Sequence, residues 1–356
     1  MRFDVLRSGA SRLALLMVAG SLAACSTEQP AGPAQPVTPA EGESDVLPFS
    51  AVKGLSLASS PLCRAAAYRQ FDFWLGQWDI TEDGGPAGSN IVEPILGGCA
   101  IRENYVDPWG TSSGTSLNSY DADTKQWRQT WVSDYGTEYR MAGGLDATGT
   151  MVLLGQRINA ANGRLLLDTW KWTPIDGNNV LQTGRVTVPA TGVDNQFFNG
   201  EYHRVPSVTQ PEVIPSGLCD ASPATDADFL AGSWNVKGPF GVSLGRSVTK
   251  KSISGCLVEE HFTGRLGYEA IAFTYRDPIT RKWYRSTADN LGERLELEGD
   301  VVGGVLVLTG VEKVAGQELQ VRLTLTPAGG KIAAKHEVSR DGGATWVMLA
   351  TLSYGN

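Results

Sequence analysis

Phe71-Asp72-Phe73-Trp74-Leu75-Gly76-Gln77-Trp78 is the stretch on which the fold turns. A short apolar lead-in runs into Gly-x-Trp, and Asp79-Ile80 then reads as the start of a strand. Gly permits a bend and a close backbone approach. Trp brings a large apolar surface and one donor that a barrel floor can satisfy. A weaker copy, Asp228-Phe229-Leu230-Ala231-Gly232-Ser233-Trp234, lies 156 residues later (72 to 228) and runs into Asn235-Val236. Other matches keep the order: Leu62-Cys63 with Leu218-Cys219, Gly98-Cys99 with Gly255-Cys256, and Thr173-Pro174 with Thr326-Pro327. Asp121-x-x-Thr124-x-x-Trp127 also returns as Asp277-x-x-Thr280-x-x-Trp283. Offsets of 153 to 157 in constant order indicate a tandem duplication.

Each half reads as a run of short strands. In the first they are expected near Gly76–Thr81, Ser89–Pro94, Ala100–Val106, Thr115–Tyr120, Gln126–Ser133, Glu138–Ala142, Met151–Gln156, Leu165–Trp172, Val180–Val186 and Gln196–His203. Hairpin signals such as Asp83-Gly84-Gly85 and Asn162-Gly163 separate them. The one helix expected there is short, near Arg64–Trp74. About ten hairpin-linked strands per half predict an all-β chain. The expected architecture is two tandem antiparallel up-and-down β-barrels, each behind a short N-terminal helix, because closure leaves no exposed edge. A sandwich is the alternative. The expected domains are barrel 1 over residues 61–206, a linker over 207–216 marked by Pro211 and Pro215, and barrel 2 over 217–356.

The 356 residues carry a net charge of −8 with no basic clusters, which argues against nucleic acid as a partner. Residues 1–24 read as a signal peptide: Arg2, Arg7 and Arg12 precede an apolar run, Leu13 to Ala24, too short to span a bilayer. Leu22-Ala23-Ala24-Cys25 resembles the bacterial lipobox. That resemblance implies a lipid on Cys25 as the first mature residue, and Ser26 is compatible with outer-membrane sorting. The alternative is an ordinary cleaved signal with an accidental Cys. Residues 25–60 are poor in aromatics, carry Pro30, Pro33, Pro36 and Pro39, and read as a flexible tether. The expected location is the cell envelope, lipid-anchored at the outer membrane and facing the periplasm. Of five Cys, Cys25 apart, each half holds two at matching places, and an oxidising compartment favours disulfides Cys63–Cys99 and Cys219–Cys256. A metal site is the weaker reading, because no C-x-x-C spacing or His cluster accompanies them.

The helical lead-in, the Gly-x-Trp strand and the meander resemble the calycin superfamily of lipocalins and fatty-acid-binding proteins. Together with Gly98-Cys99-Ala100-Ile101-Arg102-Glu103, they look like a family of uncharacterised secreted bacterial proteins with lipocalin-like domains. The resemblance implies that a basic residue of the last strand packs on the first-strand Trp. Arg204 fits that place over Trp78, whereas Trp234 in the second half has no such partner in Tyr354-Gly355-Asn356.

Strand alternation assigns faces. Ile101, Glu103 and Tyr105 share one face, matched by Val258, Glu260 and Phe262; an apolar–acidic–aromatic face in both copies reads as inward. Trp127, Gln129 and Trp131 share another, matched by Trp283, Arg285 and Thr287, so Arg285 is expected to pair with Glu260. Trp170 and Trp172 share a third, with Leu323 and Leu325 in their places. The expected ligand-binding set is Glu103, Tyr105, Trp127, Gln129, Trp131, Trp170 and Trp172, while Trp78, Arg204, Trp234, Glu260 and Arg285 are read as structural. A satisfied internal polar network with no ligand is the competing reading.

Of three His, His261 falls on the face opposite Glu260, and His336 reads as a surface strand residue. No metal, haem or other cofactor is expected, and no catalytic residues are assigned. Ser339-Arg340-Asp341-Gly342-Gly343-Ala344-Thr345-Trp346 resembles the Asp-box hairpin, a structural motif. The functional expectation is a periplasm-facing, membrane-anchored protein binding a small apolar or aromatic ligand in barrel 1. The alternatives are a structural envelope lipoprotein docking to a protein partner and, less favoured, an enzyme using Glu103 or Glu260.

Overall fold

The computed structural model describes residues 61–356 apart from 160, 315 and 316. The proposed signal peptide, Cys25 and the tether lie outside the described residues. Two closed ten-strand barrels follow one another, every strand pairing antiparallel with its neighbours. Barrel 1 comprises β1 (Gly76–Glu82), β2 (Gly85–Ile95), β3 (Ala100–Val106), β4 (Ser113–Asp121), β5 (Gln126–Ser133), β6 (Glu138–Leu145), β7 (Met151–Ile158), β8 (Leu165–Pro174), β9 (Asn179–Val188) and β10 (Val193–Val205). Barrel 2 comprises β11 (Gly232–Lys237), β12 (Ser243–Ser252), β13 (Leu257–Gly264), β14 (Glu269–Arg276), β15 (Trp283–Asp289), β16 (Arg294–Val302), β17 (Val305–Val314), β18 (Gln317–Ala328), β19 (Lys331–Ser339) and β20 (Val347–Gly355).

The lead-in to barrel 1 is a chain of three single 3-10 turns, Pro61–Arg64, Ala66–Arg69 and Asp72–Trp74. A three-residue period suits this segment. It turns Tyr68, Phe71 and Trp74 the same way, and all three are buried, Phe71 and Trp74 completely. Before barrel 2 the same role falls to Asp228–Leu230. These lead-ins close one end of each barrel. The disulfides Cys63–Cys99 and Cys219–Cys256 form as expected and tie each lead-in to the hairpin after the second strand of its barrel.

Trp78 is fully buried and its indole N–H donates to the Trp74 carbonyl at 2.9 Å. Arg204 lies 4.2 Å above its ring and donates to the carbonyls of Phe73, Leu75 and Gly177. Gly76, at φ 141°, is required here: a Cβ would stand 2.2 Å from an Arg204 guanidinium nitrogen. In barrel 2 the Trp234 indole donates to Leu230 O at 2.9 Å, no arginine among the described residues stacks on its ring, and Trp234 stays partly exposed. Residues 207–216 have no regular structure but run along barrel 1. Val208 N–H donates to Gln77, and the Gln210 amide donates to the carbonyls of Ser89 and Asn104.

The barrels meet through equivalent residues. Thr130 and its counterpart Ser286 share a hydrogen bond at 2.8 Å, and Arg102 holds its own counterpart Glu259 by two bonds of 2.5 and 2.8 Å. Arg294 donates to Leu117 O and to Ser119 Oγ, while Glu138, the counterpart of Arg294, lies beside Tyr275, the counterpart of Ser119. Leu117, Val132, Phe273 and Ala288 fill the apolar centre together with both disulfides. Contacts that recur with the partners exchanged define a pseudo-two-fold axis. Gly136, in the β5–β6 loop, sits by Cys219, and Gly292, in the β15–β16 loop, sits by Cys63. The loop end of each barrel therefore lies against the closed end of the other, and the two mouths face opposite ways.

Candidate functional site

Barrel 1 holds an open cavity of about 230 Å³. At its polar end Glu103, 4% exposed on β3, accepts hydrogen bonds from Asn90 Nδ2 on β2 and Ser116 Oγ on β4, each at 2.7 Å. Register produces this meeting: Asn90 pairs with Tyr105 and Glu103 with Ser116 across the ladder. The network continues from the Asn118 amide to Ser116 Oγ at 2.8 Å and from the Gln129 amide to Asn118 Oδ1 at 2.7 Å. Every one of these partners is neutral. Burial therefore dominates and pushes the Glu103 carboxyl up to about 7, against the pull of the Ser116 and Asn90 hydrogen bonds.

The remaining wall is aromatic. Trp170 on β8 meets Tyr139 at 5.6 Å, Phe197 at 5.3 Å and Phe198 at 5.8 Å between ring centres, and Trp131 faces Tyr105 at 6.2 Å. Two glycines make room: a Cβ on Gly114 would lie 2.2 Å from the Trp131 ring, and one on Gly184 would lie 2.9 Å from Phe197. Tyr105 spends its hydroxyl on Ala87 O at 2.7 Å and offers its ring. Around the cavity, Asn90 Oδ1, Trp170 Nε1 and Gln182 Oε1 are buried without a hydrogen-bond partner, which is unusual for interior polar atoms.

Of the seven residues expected to bind ligand, Glu103, Tyr105, Gln129, Trp131 and Trp170 line this cavity. Trp127 and Trp172 lie in the floor beneath it. The Trp127 indole donates to Ala67 O and Gln70 Oε1, and Trp172 packs on Phe71 and Trp74 at 5.3 and 5.4 Å. The sequence reading missed Asn90, Ser116, Asn118, Tyr139, Gln182 and the Phe197–Phe198 pair. Alternation with a known strand register would have found Ser116 and Asn118, which stand opposite Glu103 and Gln129.

Barrel 2 holds a cavity of about 140 Å³ with different electrostatics. Ser247, the counterpart of Asn90, donates to Glu260 at 2.6 Å, and Arg285, the counterpart of Gln129, forms the expected ion pair with Glu260 and donates to Thr274 at 2.7 Å. His261 is exposed on the opposite face, as alternation requires. His336 is not a surface residue: it shares the inward face of β19 with Ile332 and Ala334 and lines the cavity. Burial and the nearby Arg285 charge push its imidazole down to about 4, so it is neutral at neutral pH. The Asp-box hairpin is structural: Asp341 accepts from Ser339 Oγ and from the Thr345 N–H and hydroxyl, and Arg322 stacks 4.1 Å from the Trp346 ring centre. Among the described residues no group of three or more His, Cys, Asp and Glu is arranged to hold a metal ion.

The sequence matches no known family profile and no curated protein. Solved structures similar to it include a protein of unknown function of the DUF3598 family from Nostoc punctiforme, at 11% identity and a TM-score of 0.18, over 82% of this chain and 98% of that one.

Proposed function

We propose that barrel 1 binds a small, flat, largely apolar molecule whose single polar group meets Glu103, in a calycin-like lipoprotein held at the cell envelope by lipid on Cys25, facing the periplasm from the outer membrane. One observation carries the reading: a cavity walled by edge-on and tilted aromatic rings ends on a buried carboxyl with no counter-charge, and Asn90 Oδ1, Trp170 Nε1 and Gln182 Oε1 around it are unsatisfied. An apolar pocket with a few convergent polar groups is the usual form of a small-molecule site. A carboxyl near neutrality serves as hydrogen-bond donor or acceptor to a neutral ligand. Native mass spectrometry of the protein purified from its own envelope is expected to show one small adduct per chain. The adduct should be lost in a Trp170→Ala variant that remains folded. Adduct-free wild-type protein, together with no change in Trp emission across an aromatic metabolite panel, would remove the reading and leave a structural role.

A further inference from the structure

The rim of barrel 2 carries two loops of one design, side by side. Gly238-Pro239-Phe240-Gly241-Val242 joins β11 to β12, and Gly264-Arg265-Leu266-Gly267-Tyr268 joins β13 to β14. In each, the first Gly N–H donates to the carbonyl of the fifth residue, at 2.8 and 2.7 Å, and the fifth N–H donates to the carbonyl of the second, at 3.3 and 3.2 Å. The third residue is left-handed, at φ 59° for Phe240 and 56° for Leu266. The loops are neighbours, because Gly245 at the base of one pairs with Gly264 at the base of the other.

A left-handed tip suits Gly or Asn, and a bulky apolar residue there is disfavoured. Yet Phe240 is fully exposed, Leu266 is 71% exposed, and Val242 beside them is 40% exposed. Two protruding side chains are too small a patch for a stable protein interface. They match what enters the boundary between lipid headgroups and acyl chains. The charge agrees. Residues 235–246 and 263–269 hold Lys237, Arg246 and Arg265 against Glu269, a local +2 in a chain of −8. All three cations are exposed, and none has an ion-pair partner among the described residues. The acidic rim residues Asp289 and Glu293 flank the β15–β16 turn, which touches the 264–268 loop through Asn290 Nδ2 to Gly267 O at 2.6 Å and the Tyr268 hydroxyl to Asp289 at 3.1 Å, on the flank away from Phe240, and whose Gly292 abuts Tyr68 and Cys63 of barrel 1.

We propose that this side of the barrel 2 rim docks on an anionic lipid surface, with Phe240 and Leu266 inserted and Lys237, Arg246 and Arg265 on the phosphates. The docking is separate from the barrel 1 pocket and needs no lipid on Cys25. The test uses the full chain carrying Cys25→Ser. Phe240→Cys labelled with an environment-sensitive fluorophore is mixed with phosphatidylglycerol–phosphatidylethanolamine vesicles. The label should shift to the blue and be quenched by brominated acyl chains. The same label at Val302→Cys, an exposed position on the opposite end of the barrel, should do neither. A Lys237→Ser/Arg246→Ser/Arg265→Ser variant, labelled at Phe240→Cys, should need at least tenfold more lipid for the same shift. Phe240→Asn/Leu266→Asn, which suits the left-handed tips and should leave thermal unfolding unchanged or raised, should lose at least tenfold in vesicle co-sedimentation. An unmoved label at 240, an equal response at 302, or a shift that appears only when membrane proteins are present overturns the proposal.

Discussion

Glu103 and Glu260 occupy equivalent strand positions, and one neighbour separates their chemistry. Gln129 leaves Glu103 among neutral donors, whereas Arg285 gives Glu260 a counter-charge. The Glu103 carboxyl titrates near 4.5 when unburied and near 7 in the fold. Between those values the native state keeps a proton that the unfolded chain has released. Stability is therefore full below about 4.5, falls as pH rises towards 7, and is flat above. The shift corresponds to up to about 3 kcal/mol. Glu138, pushed up to about 7 by burial at the barrel–barrel interface, contributes with the same sign, while His336 acts in the opposite sense between about 4 and 6.5. Comparing Glu103→Gln with wild type in urea titrations from pH 4.5 to 7.5 isolates the first term. The variant should lose up to about 3 kcal/mol of the fall. Gln129→Arg should achieve the same flattening by supplying barrel 2's ion pair. An undiminished slope in both variants would refute the assignment.

At the level of elements, Gly76 and Gly232 start the first strands in a left-handed conformation that no Cβ fits. Ala at position 76 meets Arg204, and Ala at 232 would come 2.6 Å from the Trp234 ring. Gly76→Ala should cost about 2–3 kcal/mol, read by urea unfolding. Cys219→Ala/Cys256→Ala should cost roughly 3–4 kcal/mol on loop entropy, read by thermal unfolding of both variants side by side. The strands themselves are plain in the sequence, because clusters of Gly, Asn and Asp break the alternation between them. All ten strands expected in barrel 1 are present near their predicted places. Depth was not legible. Alternation fixes which face a side chain takes but not how far along the barrel axis it lies, so Trp127 and Trp172 read as pocket although they form the floor. His336 was misplaced because a single polar residue with no register to anchor it carries no face. The polar network around Glu103 needs the cross-strand register of β2 to β5, which alternation alone does not fix.

At the scale of the whole molecule, the pseudo-dyad has diverged towards complementarity. Arg102 faces Glu259 where a symmetric pair would set like charges together, and Glu138–Arg140 in barrel 1 becomes Arg294–Glu296 in barrel 2. Arg102→Glu or Glu259→Arg alone should cost about 3–5 kcal/mol, because each leaves like charges facing one another in a partly buried site. The double exchange should recover most of that, measured as a double-mutant cycle in chemical denaturation. Recovery of less than about 1 kcal/mol would show that the pair does not hold the barrels together.

The same interface bears on how the chain is made. Leu117 and Val132 on barrel 1 share one buried apolar cluster with Ile271, Phe273 and Ala288, residues synthesised some 150 positions later (117 to 271). Until the second half emerges, the first presents an uncovered greasy side, and a nascent or truncated chain is exposed to proteases and to sticking. A holdase would have its natural client in that half-finished molecule rather than in the mature one.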